Sequence, residues 1–79
     1  SADPNEIVTE GGLSAPMPGK ILNIKAQKNH KVKKGDTLIT LEAMKMEHSI
    51  KANTDGIVED IFVKVGEQVE NGSLLMKII

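Results

Sequence analysis

The chain has 79 residues, a formal net charge of −1, no Cys, and Phe62 as its one aromatic. A chain of this size is a single small domain. Its composition excludes a disulfide framework or thiolate metal site, an apolar run near the roughly 20 residues that cross a bilayer, and the stacking platforms of a single-strand nucleic-acid binder.

Residues 1–13 combine Asp3, Glu6 and Glu10 with Pro4 and Gly11-Gly12, and show no periodicity. They read as a linker or flexible tail, which leaves residues 14–79 as the folded domain. Ser14-Ala15-Pro16-Met17 reads as a short extended segment, because a proline biases the residue before it away from helix. Pro18-Gly19 has the residue order of a type II turn.

Residues 20–26 and 57–63 are rich in β-branched side chains and read as strands. They are also related to each other. At a spacing of 37 residues Gly19 matches Gly56, Gly35 matches Gly72, and Ala15 matches Ala52. Ile21 matches Val58, Ile24 matches Ile61, Val32 matches Val69, Leu38 matches Leu75 and Leu41 matches Ile78. The chain is thus an internal repeat of about residues 14–41 and 51–78.

Within both strands the apolar positions follow a gap of three with a gap of two, which breaks strict alternation and predicts a bulge at the same place in each repeat. Asn29 aligns with Gly66, so Asn29 is expected at positive φ, in a turn of the same kind. Gly35 and Gly72 form a second matched pair of turns, each followed by the closing strand of its repeat.

No window repeats at 3.6 residues, so no helix is expected. Short strands at regular spacing predict a small all-β sandwich or barrel with a pseudo-twofold axis. Charge divides between the halves: six Lys and one acid lie in the first repeat, three Lys and five acids in the second. That dipole reads as a solvated surface. His30 and His48 are the only imidazoles. Without Cys they give no recognisable metal spacing, and both read as surface or turn residues.

Residues 42–50 fall between the repeats, with Lys45 at the joint. The flanking apolar stretches can pair as a hairpin with its tip at Met44-Lys45. Two-residue hairpin loops favour Asn-Gly or Gly-X, because the turn requires positive φ. Neither Met44 nor Lys45 suits it. If the register is set by the barrel, at least one of them is expected at positive φ, held there by the rest of the structure.

Glu42-Ala43-Met44-Lys45-Met46 resembles the signature of biotin carboxyl carrier domains, in which the Lys between two Met carries biotin. The similarity extends to Ala15-Pro16-Met17-Pro18-Gly19, Gly35-Asp36, Ala52, Gly56 and Gly72. The resemblance implies an all-β flattened barrel-sandwich of two four-stranded antiparallel sheets, with Lys45 at a hairpin tip. It implies covalent biotin on Lys45, with Met44, Met46, Ala43 and Glu42 as the motif that a biotin protein ligase reads. Amines of this type are largely protonated at neutral pH, so the ligase must free the amine before it attacks biotinyl-adenylate. The implied role is non-catalytic: carriage of carboxybiotin between a biotin carboxylase and a carboxyltransferase, in the bacterial cytoplasm or the mitochondrial matrix. Lipoyl carriers share the fold and the central Lys, and are the alternative; Met on both sides favours biotin. The short insertion of bacterial acetyl-CoA carboxylase carriers is missing here. That brings the chain nearer to the carriers of acyl-CoA carboxylase α-subunits, pyruvate carboxylase or biotin-dependent decarboxylases.

Overall fold

The computed structural model describes residues 6–7 and 12–79. Nine strands and no helix lie among them: β1 (Glu6–Ile7), β2 (Gly12–Ser14), β3 (Gly19–Ile24), β4 (Lys31–Val32), β5 (Thr37–Ala43), β6 (Met46–Lys51), β7 (Gly56–Ile61), β8 (Gln68–Val69) and β9 (Leu74–Ile78). One sheet runs β1-β6-β5-β3-β8 and the other β2-β9-β7-β4. Every pairing is antiparallel except that of β1, which adds to the edge of β6 in parallel. Apart from β1, this is the expected pair of four-stranded antiparallel sheets, flattened to 18 Å at its thinnest.

The repeat is visible in individual hydrogen bonds. The Ala15 amide donates to the Ser73 carbonyl at 2.8 Å, and the matched Ala52 amide donates to the Asp36 carbonyl at 2.9 Å. The Gly72 amide donates to the Ala15 carbonyl, and the Gly35 amide to that of Ala52. The Ile21 and Val58 amides donate to the Glu67 and His30 carbonyls, again matched partners. Each half therefore satisfies turn and strand groups of the other, which is what a twofold exchange requires. The bulges obey the same rule: register shifts between Ile21 and Asn23 on β3, and between Val58 and Asp60 on β7. A bulge bends its strand, and two bends at equivalent places wrap the sheets around one core.

That core contains Leu13, Ile21, Leu38, Ile39, Leu41, Ile50, Val58, Leu75 and Met76, all buried. The symmetry belongs to the interior and not to the surface. Exposed Phe62, Val65 and Leu74 stand where the first repeat has Lys25, Lys28 and Thr37.

Asn29 has φ 72°, beside 91° at Gly66, as the alignment predicts. Asn tolerates this region and a β-branched residue does not. Asn29→Gly should leave the thermal midpoint within a few degrees of the parent, and Asn29→Val should lower stability by about 1–2 kcal/mol. An unchanged midpoint for the Val variant would refute the steric reading of this turn.

Two expectations need correction. Gly19 is not among the glycines at positive φ, so Pro18-Gly19 is not a type II turn. Gly19 opens β3, and a Cβ built there would lie 2.5 Å from the Glu42 carbonyl oxygen. At Gly56, its match, a Cβ would lie 2.6 Å from the Ile79 carbonyl oxygen. Both glycines are required by close strand approach. The boundary at Ser14 also moves. Gly12 pairs with Lys77, and Leu13 is fully buried. Leu13 lies 37 residues before Ile50, so the repeat itself extends to it. The linker or tail reading of residues 1–13 otherwise falls largely outside the described residues.

Candidate functional site

β5 and β6 pair from Thr37↔Lys51 to Ala43↔Met46, leaving Met44-Lys45 as a two-residue turn. Both residues have positive φ, 55° at Met44 and 63° at Lys45. Positive φ at both central positions marks the primed turn whose twist matches that of paired strands. The sequence does not favour it, so the barrel imposes it through the strands on either side. A non-Gly residue held there costs on the order of 1–2 kcal/mol. The result is a Lys at an exposed turn apex whose backbone is set by the paired strands on either side.

The motif residues separate into two sets. Met44 is 90% exposed and Met46 52% exposed, with Lys45 exposed between them. Glu42 and Glu47 lie directly opposite each other across the hairpin, both exposed. Ala43 is buried at the base of the turn. The tip is thus an amine beside two apolar side chains, with a carboxylate pair below. Among the described residues no group of three or more His, Asp or Glu could hold a metal ion. Nor is there, among the described residues, a helix long and apolar enough to cross a membrane.

His30 is exposed beside the Asn29 turn, as expected. His48 is not a surface residue. It is buried, 8% exposed, with Nε2 3.3 Å from the Ala43 carbonyl oxygen. The sequence carried a signal for this: His48 lies two residues before Ile50, and alternate strand residues share a face.

Residues 11–78 match the family model of the biotin-requiring enzymes. The chain belongs to that family. This biotin-requiring domain is 43% identical over 68 residues to the methylcrotonoyl-CoA carboxylase subunit alpha of Arabidopsis thaliana, covering 86% of the chain but 9% of that protein. It is 40% identical over 62 residues to the biotin carboxyl carrier protein of acetyl-CoA carboxylase from Solanum lycopersicum, covering 78% of the chain and 89% of that sequence. It superposes on part of the Kluyveromyces lactis urea carboxylase with a TM-score of 0.80 and 34% identity, covering 86% of the domain and 6% of the enzyme. The domain therefore spans about a tenth of the length of the first curated relatives it matches. Within the family it is the small carboxyl carrier domain and not a catalytic one.

Proposed function

We propose that the Lys45 ε-amine is the attachment point for biotin, and that the domain carries a carboxyl group between the active sites of a larger biotin-dependent carboxylase. The observation that supports this best is the turn. Lys45 occupies the apex of a two-residue loop in a conformation the local sequence does not favour, and the exposed ε-amine of such a residue fits a group attached through an amide. A biotin protein ligase would supply biotin activated as its adenylate. The Lys45 amine, freed of its extra proton, attacks the acyl carbon, the amide bond forms and AMP leaves. Met44 and Met46 offer the ligase an apolar surface on both sides, with exposed Glu42 beside them and buried Ala43 setting the base of the turn.

A biotin held on Lys45 would supply a ureido nitrogen able to take up a carboxyl group derived from bicarbonate, at the expense of ATP, and to give it to an acceptor. The domain's own contribution is to hold Lys45 still and exposed, so that the arm is concentrated at both partner sites. The partners are a biotin carboxylase and a carboxyltransferase. The compartment is the bacterial cytoplasm or the mitochondrial matrix. The lipoyl alternative is not favoured, since the relatives named above are carboxylases and a carboxyl carrier protein. Intact mass after incubation with biotin, ATP and a biotin protein ligase tests the reading. One biotinyl addition, mapped to Lys45, is expected; no addition, or label elsewhere, overturns it.

The strained turn gives a second test. Met44→Gly relieves positive φ at one residue but gives the unfolded chain more freedom. Stability should be unchanged or raised by about 1 kcal/mol, while biotinylation slows because the tip loses an apolar contact and its fixed backbone. Faster or equal labelling would separate presentation of Lys45 from this backbone geometry.

A further inference from the structure

His48 is the one buried titratable side chain among the described residues, and the barrel alone does not require it. It pairs directly with Leu41 on β5 and shares a face with buried Ile50, so an apolar residue would fill the position as well. What an apolar residue lacks is the contact to Ala43. A carbonyl oxygen only accepts, so Nε2 carries the proton and donates to it at 3.3 Å. Neither ring nitrogen is left buried without a partner. Ala43 pairs with Met46 to close the turn, so this carbonyl lies at the base of the loop that holds Lys45. The imidazole that reaches it belongs to a buried residue of β6.

We propose that His48 is a positioning residue for the modification of Lys45: it fixes the Ala43 carbonyl and so holds the Met44-Lys45 turn against the barrel. The proposal rests on the reading of Lys45 as the attachment residue. Transfer onto an amine requires the nitrogen within about 3–3.5 Å of the acyl carbon in a narrow range of directions. A turn that rocks at its base spends less time in that range. The effect therefore falls on the rate of the chemical step more than on recognition of the tip.

Two variants separate positioning from mere filling of space. His48→Leu keeps an apolar side chain in the interior and removes the donor. His48→Gln keeps an N–H at a similar reach. With a biotin protein ligase, biotin and ATP, the Leu variant should lose roughly three- to tenfold in kcat with KM little changed, the size expected for one hydrogen bond. Its thermal midpoint should be equal to or above that of the parent, and the Gln variant should recover most of the rate. Amide exchange at Met44, Lys45 and Met46 should rise in the Leu variant while exchange at Val58 in the core stays slow. Parent-like kcat in the Leu variant overturns the proposal. So does a rate loss that tracks a fall in midpoint and that Gln fails to restore. If the parent chain takes no biotin, the attachment reading fails, and exchange at the turn still decides whether His48 clamps it.

Discussion

Incubated with ligase, biotin and ATP, the Lys45→Arg chain should gain no mass, whereas the parent gains one biotinyl group. The expected loss is complete and not partial. Arg keeps the positive charge but not a nucleophile, because its guanidinium stays protonated at all working pH. The fold should be unaffected, since the replaced side chain is exposed at a turn apex and makes no core contact. The other nine basic residues of the chain are also Lys, so each is a potential competitor in chemistry. None of them shares the geometry: among the described residues Lys45 is the one Lys at positive φ. Residual labelling of Lys45→Arg at the parent rate would show that the ligase does not read the tip.

The largest effect on stability is expected at Gly19. An alanine Cβ there would lie 2.5 Å from the Glu42 carbonyl oxygen and 3.0 Å from Leu41 Cγ and Cδ1. The first of these is backbone in the middle of a sheet, so it cannot swing aside. Overpacking of this kind typically costs about 1–3 kcal/mol, and the rigidity of the contact places Gly19→Ala at or above the upper end. A domain of this size has a total stability on the order of 5 kcal/mol or little more, so most of its margin would be lost. Gly35→Ala is the matching control. It has nothing within 4 Å but a φ of 93°, so it tests backbone strain alone, on the order of 1–2 kcal/mol. Urea midpoints of the two variants should differ clearly, with Gly19→Ala the lower. Equal midpoints would mean that β3 and β5 can move apart without penalty.

These two glycines show which features are legible in a sequence. Gly35 and Gly66 are required by local backbone conformation, and their alignment with Gly72 and Asn29 announces it. Gly19 is required by a strand more than twenty positions away in the chain, and no local pattern carries that distance. Pro18-Gly19 therefore mimics a turn. The paired bulges were legible because the apolar spacing fails twice in the same way. Positive φ at Met44-Lys45 was legible as a conflict between register and turn chemistry. The burial of His48 is not announced locally, because a His near a hairpin tip is ordinarily solvated and only the face it shares with Ile50 argues otherwise. Leu13 is masked in the sequence by the Gly-Gly pair and the acidic segment before it, although the repeat reaches it.

The hydrogen-bonded clasps at Ala15 and Ala52 are equivalent in space but not along the chain. The Ala52 clasp joins it to Gly35 and Asp36, with the β5–β6 hairpin between them. The Ala15 clasp joins it to Gly72 and Ser73, near the other end of the repeat. Loop-closure entropy grows with the logarithm of the intervening length, so the same pair of hydrogen bonds costs about 1 kcal/mol more to form at Ala15. The barrel is symmetric as an object and polarised as a folding process: the clasp that frames Lys45 closes over a short contour, and the seam at Ala15 closes over most of both repeats.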